Sequence, residues 1–563
     1  MIISVSPIGR ASLKEDGRNY MKKINTRRQF RTALGVALGS IFVTVTVARA
    51  KPAAEAFSTS YKGLPEVRPT EEVALKDGDS YTLTAAPAKQ KLDGRWIRRL
   101  AYNGMVPGPI LRVKQGSVVK LTLVNALDFD TTLHPHGLRV EPRYDGVPGI
   151  GQPALKPGES YEYVLRFPDH GMYWYHPHVR DDYTLDAGLH GAIIVSPNVA
   201  GVWDSSIKEI PLILDDIDTS SKGMTYLRDH ITHTLMGRFG SKILVNGAVS
   251  PSIGVGPTGR VRLLLLNVAN TRTFRFAIKG VPLTLIGSDN GNFQRRESTS
   301  DITIGPGERY VVEASLQKVG SFEILNDTPE HPQSIAQLVV NKITSLKAPL
   351  AESQSPDNRA FSQDELEALR KKADGTPDFA VRLSVTMDHK RLPMRMANHG
   401  PNEPKRQHHN SHTSPGHTPS TFFYLGRTAG IEWQDEMAAM NETSDEESVT
   451  WKMVDESSQK ANMDVLWTME QGKRYLIRIT NDEKSMHPMQ HPIHFHGNRF
   501  VVAKVNGVSN PNLAWKDTVL VGTSDIVDIV LDATNPGSWM SHCHILEHIG
   551  AGMMIGYRVT GKN

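Results

Sequence analysis

Cys543 is the only cysteine in the chain, and it stands between two histidines in the run Ser541-His542-Cys543-His544-Ile545-Leu546-Glu547-His548. A chain with one cysteine closes no intramolecular disulfide, so its fold must rest on packed cores and its thiol is left for chemistry. His548 follows five residues on and Met553 five beyond that, so the run offers thiolate, imidazole and thioether together. Two His, one Cys and a weak axial Met are the donors of a blue-copper centre. Side chains alternate faces along an extended strand. His542 and His544 therefore point away from Cys543 and can serve a second metal centre while the cysteine serves the first.

The chain has 563 residues, room for about three domains of roughly 150 residues each. The 46 Gly and 34 Pro favour many turns, as in an all-β protein. A formal charge of +4 gives no case for nucleic acid as a partner. From residue 80 to 196 short β-runs alternate with turns. Val118-Val119-Lys120-Leu121-Thr122-Leu123-Val124 and Tyr161-Glu162-Tyr163-Val164-Leu165-Arg166-Phe167 are the clearest strands, and Pro107-Gly108-Pro109 and Lys156-Pro157-Gly158 are turns. The texture repeats from Ile210 to Asn341, with Arg260–Asn267 as its best strand. It returns from Phe379, with strands at Tyr475–Ile479 and Asp525–Leu531. These boundaries predict three β-sandwich domains at 66–200, 205–345 and 379–560. Residues 346–378 read as a polar interdomain linker holding a short helix at Gln363–Lys372. The first and third domains share a plan of strand, His cluster, strand, Gly-aromatic turn and second His cluster.

Four histidine clusters lie in those two domains: His134-Pro135-His136, His176-Pro177-His178, His491-Pro492-Ile493-His494-Phe495-His496, and the Cys543 run. Imidazole alone suits several transition metals, but the Cys/His/His/Met set narrows the metal to copper. In this order and beside a cysteine flanked by His, the clusters resemble those of the multicopper oxidases, specifically the three-domain bacterial laccase-like members. The resemblance implies three cupredoxin-like Greek-key sandwiches and four copper ions. It implies type 1 copper on His491, Cys543, His548 and Met553. It implies type 2 copper on His134 and His494, and a type 3 pair on His136, His176, His178, His496, His542 and His544. The second domain, which lacks any His-x-His, is implied to be a copper-free spacer. The implied activity is one-electron oxidation of a small reductant, phenols and aromatic amines first and Cu(I) or another metal ion second, coupled to reduction of dioxygen to water. Asp145 matches an acidic residue that delivers protons in the family; a turn Asp is the alternative. Bacterial relatives often carry a second acidic relay just after the last type 1 His, where this chain has Ile549, and Glu547 is not expected to replace it. A copper nitrite reductase would not need the type 3 set, and a copper-free structural relative would have lost ligands that are all present here.

Three other segments carry expectations. Thr26-Arg27-Arg28-Gln29-Phe30, the apolar stretch to Val47 and Ala48-Arg49-Ala50 read as a twin-arginine export signal over residues 1–50, with a membrane anchor as the alternative. This places the mature protein in the periplasm, or otherwise exported, without stable membrane insertion. The His-, Met- and Pro-rich stretch 387–419 reads either as a surface insertion or as a cuprous-oxidase flap, because thioether favours Cu(I). Met437 and Met440 read as core, and Asp445-Glu446-Glu447 as a solvated loop.

Overall fold

The computed structural model describes residues 55–199, 202–219, 225–343, 360–388, 390–392 and 427–561. The expected export signal and all but a few residues of the 387–419 stretch lie outside the described residues. The fold is all-β. Three pairs of facing sheets follow one another along the chain.

The same unit recurs three times. In the first domain Ser80–Leu92 runs parallel to Val118–Asn125, which pairs antiparallel with Ser160–Arg166. In the second, Lys208–Ile217, Arg260–Asn267 and Arg309–Ser315 repeat the arrangement. In the third, Phe379–Met387, Arg474–Asn481 and Ile526–Asp532 do so again. Parallel neighbours cannot be joined by a tight hairpin, so each domain needs crossovers between its two sheets. The facing sheets repeat as well. His134–His136 pairs with Gly171–His176 and that strand with Gly191–Ser196. Phe274–Ile278 pairs with Gly320–Asn326 and then Gln333–Val340. His491–Phe495 pairs with Gly537–Cys543 and then Met554–Thr560.

A buried asparagine ends the second strand of each unit and ties down the loop that follows. The Asn125 amide donates to the carbonyls of Phe129 and Leu155 at 2.9 Å each. Asn267 donates to Arg272 and Ile304 at 2.8 and 2.9 Å. Asn481 donates to Met489 and Gly522 at 2.7 and 3.0 Å. In the outer domains the tethered loop delivers a histidine strand. In the second domain it delivers Phe274 and Phe276, which are fully buried in the apolar core. The repeat explains why the middle domain has the scaffold of the outer two and none of their histidines.

Two expectations need correction. The segment 346–378 is not simply a linker, because its described part, 360–378, is docked on the third domain. Its helix, Gln363–Ala373, is capped by Ser362, whose hydroxyl accepts from the Glu365 N–H at 3.1 Å. Leu366, Leu369 and Ala373 fall on one face and pack with Phe361 against Leu476, Val501, Trp515 and Val530. Packing in the first domain also begins before residue 66: Phe57 stacks on Tyr183 with ring centroids 4.0 Å apart.

Leu369→Ala should lower stability by about 2–4 kcal/mol through lost burial and the cavity it leaves, measured by denaturant unfolding. The visible spectrum of the copper-loaded variant should not change. A loss below about 0.5 kcal/mol, within the range of ordinary surface substitutions, would mean the helix is only loosely attached.

Candidate metal centres

Two clusters form, one inside the third domain and one between the first and third. At the first, the end of strand Gly537–Cys543 pairs with His491–Phe495, Cys543 lying opposite Ile493. The Cys543 Sγ lies 3.6 Å from His491 Nδ1 and 3.7 Å from His548 Nδ1. His548 reaches this point from the short helix Leu546–Gly550. All three residues are buried, as is Met553, whose carbonyl accepts from the Cys543 N–H at 3.1 Å. The Trp451 ring covers both imidazoles, 4.8 Å from His491 and 4.2 Å from His548. Burial pushes the Cys543 thiol up and holds His491 down at about 3. A thiolate in so dry a place needs a cation beside it, and two neutral imidazoles with one thiolate supply the donors a copper ion takes.

The second cluster gathers eight histidines, four from each outer domain. His134 donates from Nδ1 to the Asp145 carbonyl at 2.6 Å, and His494 from Nδ1 to the Asp517 carbonyl at 2.9 Å. These bonds leave the Nε2 lone pairs of both rings buried without a hydrogen-bond partner among the described residues. His136, His176 and His544 form a second group within one ion's reach, and His178, His496 and His542 a third. The outward nitrogens are again anchored. His136 Nε2 lies 3.1 Å from both Asp517 Oδ1 and Thr518 Oγ1. His176 Nδ1 donates to the Pro177 carbonyl at 2.7 Å. His178 Nδ1 is 3.2 Å from Asp181 Oδ2, and His496 Nδ1 is 3.0 Å from Asp145 Oδ2. His542 Nδ1 donates to the Cys543 carbonyl at 2.7 Å. Fixing one ring nitrogen in this way sets the tautomer and aims the other as a ligand. Orphaned lone pairs converging in a buried polar space fit metal ions.

Two glycines make room for this cluster. Gly137 follows His136 at φ +85°, and a Cβ there would fall 2.4 Å from Asp517 Oδ2. Gly307, at φ +82°, brings the backbone of the second domain against His544, 3.0 Å from where its Cβ would stand. The second domain is therefore more than a spacer. Its Arg309 donates to both Asp517 oxygens, at 2.6 and 2.5 Å, and to the Met172 carbonyl at 2.8 Å. Burial would raise the Asp517 carboxyl, but the Arg309 charge and the hydrogen bonds from Arg309, His136 and His494 hold it far below the usual carboxylate range.

Profiles of the multicopper oxidase family match residues 86–199, 208–342 and 432–563. The chain belongs to the multicopper oxidase family. A multicopper oxidase of Staphylococcus aureus is 26% identical over 85% of this chain and 88% of its own length. A laccase of Cryphonectria parasitica is 23% identical over 84% of this chain and 80% of its own. The crystal structure of a multicopper oxidase from Pseudomonas thermotolerans superposes with a TM-score of 0.62 at 23% identity, over 87% of this chain and all of that one. Copper is thus the metal these histidine groups hold in this family.

Every site residue named from the sequence lies in one of the two clusters or beside it. Asp145 is more than a turn residue. It ends a short 3-10 helix, Pro142–Tyr144, and is buried against His134 and His496. Burial alone would raise its carboxyl, but the two imidazoles hold it well below the ordinary range. Ile549 packs where the three domains meet, with Trp174, Leu264 and Leu546. Glu547 turns to Asn270 and Arg238, at 3.0 and 3.3 Å, rather than to the histidines. Met437 and Met440 pack on the core. The run Asp445-Glu446-Glu447 is partly exposed, and Glu446 also accepts the Ile231 N–H at 2.9 Å. The sequence reading missed Asp181, Arg309, Trp451, Asp517 and Thr518. Only Asp181 carried a local signal, lying three residues after His178.

The buried imidazoles give a pH dependence with a definite sign. His491 titrates near 3 in the fold against 6.5 in a free chain, so below pH 6.5 the unfolded chain binds a proton that the folded one refuses. Stability of the copper-free protein is complete above 6.5 and falls with pH down to about 3. The loss at pH 5 is about 2 kcal/mol for each histidine so shifted. The melting temperature of the copper-free protein should drop clearly from pH 7 to pH 5; an unchanged value would contradict the buried neutral rings.

Proposed function

We propose that this multicopper oxidase is an exported, laccase-like enzyme that couples one-electron oxidation of phenols or aromatic amines to four-electron reduction of dioxygen to water. Copper bound at the two clusters supplies the redox chemistry, single electrons being taken up at the Cys543 site and oxygen reduced among the eight histidines. The observation that carries the reading is the join between them. Cys543 lies at the first cluster, while His542 and His544, its neighbours in the chain, lie at the second. The bond from His542 Nδ1–H to the Cys543 carbonyl adds a second, hydrogen-bonded path between the same residues. A copper store has no need of such a connection. The likeness to a fungal laccase supports the phenol class.

The protein residues have separable roles. His491, His548 and Cys543 hold the electron-accepting centre in a dry pocket under Trp451. Asp145 holds the His134 and His496 rings and offers Oδ1, which has no hydrogen-bond partner among the described residues, as a proton acceptor beside the cluster. Export by the twin-arginine route belongs to the same proposal. It rests on Arg27-Arg28, the apolar stretch and Ala48-Arg49-Ala50, and that route carries folded proteins. Oxidation of Cu(I) is a second reading. It is favoured by the burial of both type 1 histidines, which leaves no imidazole edge open to an aromatic donor among the described residues.

Two variants test the proposal. The copper-loaded protein should be intensely blue, and Cys543→Ser should abolish the colour and the oxidase activity together; a colourless copper-loaded wild type would sink the assignment. Asp145→Asn should slow oxygen consumption by about 10²–10⁴-fold if the carboxylate passes protons, with a shifted pH profile and with bleaching of the blue colour by substrate near normal. Loss of copper without any change in pH profile would leave Asp145 as a positioning residue only.

A further inference from the structure

The second domain sends one loop across the type 1 ligands, and the third domain pins it. Among the described residues no helix or strand lies between Ile217 and Lys242, so this loop has no strand ladder to hold it. It nonetheless lies close along the short helix Leu546–Gly550. A Cβ at Gly550 would stand 2.1 Å from Ile231 Cδ1, and one at Gly237 would stand 2.8 Å from Ile545 Cγ2. Between these two points the His548 ring faces the Leu235 backbone. Thr234, Leu235 and Met236 are fully buried. The Thr234 carbonyl accepts the Trp451 indole N–H at 2.7 Å, so the loop also fixes the ring that covers both type 1 imidazoles.

The pins are polar and come from the third domain. The Leu235 N–H donates to Ser444 Oγ at 3.0 Å, and the His233 N–H to the Ser444 carbonyl at 2.9 Å. The Met236 N–H donates to Asn441 Oδ1 at 3.0 Å, and the Asn441 amide returns a bond to the Gly237 carbonyl at 2.8 Å. Asn441 and Ser444 are themselves buried. His233 stands at φ +64°, a left-handed conformation that a non-glycine residue keeps only where its surroundings hold it. A loop held by a few side-chain bonds can exchange them for water and open locally, which a strand paired on both sides cannot do.

We infer that Asn441 and Ser444 are specificity-determining residues, because they pin the second-domain loop 231–237 as a strap across the His548 edge of the electron-accepting centre. Closed, the strap admits electrons only from donors that can pass them across its thickness. Open, it uncovers the imidazole edge and frees Trp451, so that an aromatic donor can make contact. The strap thereby reconciles the buried type 1 histidines with a phenol-oxidising role, and it rests on the oxidase reading only for the electron that the donor gives up.

Ser444→Ala and Asn441→Ala test the strap on the copper-loaded protein. Ser444→Ala removes one hydroxyl and little volume, so it should fold even where Asn441→Ala does not. Amide hydrogen exchange at Leu235 and Met236 should speed up in both variants. With syringol, a dimethoxyphenol, as donor, kcat/KM should rise about tenfold, the shift in the closed–open balance expected from leaving one buried N–H unpaired. With hexacyanoferrate(II), an outer-sphere donor, it should change far less, and the blue colour should stay as in the wild type. Unchanged exchange at those amides overturns the pinning, and faster exchange with equal changes on the two donors overturns the role in specificity. A wild type that oxidises neither donor would overturn the oxidase reading instead, while the exchange rates still decide whether Asn441 and Ser444 pin the strap.

Discussion

One guanidinium holds the three domains in register around the eight histidines. Arg309 belongs to the second domain, its carbonyl partner Met172 to the first, and its carboxylate partner Asp517 to the third; none has measurable exposure. Removing one member of a buried ion pair typically costs about 3–5 kcal/mol, because the other charge is left without compensation. Here the stranded charge would be Asp517, which holds His494 through its carbonyl and His136 through its carboxylate. The geometry of the eight-histidine cluster therefore depends on a residue that belongs to none of its groups. The apolar junction of Trp174, Leu264, Leu266, Leu546 and Ile549 adds burial beside the clamp, without its directionality.

Burial and tautomer do the remaining work. Histidines in a dry interior stay neutral, and each outward nitrogen is committed to a carbonyl, carboxylate or hydroxyl where one is in reach. The inner lone pairs are then aimed before any ion arrives. Among the eight, His544 is the exception, with neither ring nitrogen hydrogen-bonded among the described residues. Its position comes instead from the Pro492 carbonyl, which accepts its backbone N–H at 2.6 Å, and from the close approach of Gly307.

The copper-binding side chains were legible in the sequence because their chemistry is rare. A cysteine between two histidines, followed by a further His and a Met, has few uses, and the other clusters could be read once that one was understood. The strands at Val118–Asn125 and Arg260–Asn267 were legible for a different reason: β-branched and leucine runs bounded by turn residues leave little choice. The supporting residues were not legible. Arg309 and Asp517 are 208 positions apart, and nothing local marks either as a partner of the other. Trp451 reads as an ordinary core residue on a strand. The helix at 363–373 was visible, but its few apolar positions in a polar segment did not reveal the surface it covers. The threefold repeat was half hidden, because Phe274 and Phe276 stand in the middle domain where the outer domains carry histidine.

The division of the eight histidines has a further consequence. Each of the three groups in the eight-histidine cluster draws rings from both outer domains. Neither domain can bind these ions alone, so ion capture cannot precede docking, and every bound ion acts as a rivet across the seam. The empty seam can open one domain at a time. The riveted seam must shed its ions to open, so the filled protein has fewer partly open states available to it, and a protease or a denaturant meets the two outer domains as a single body.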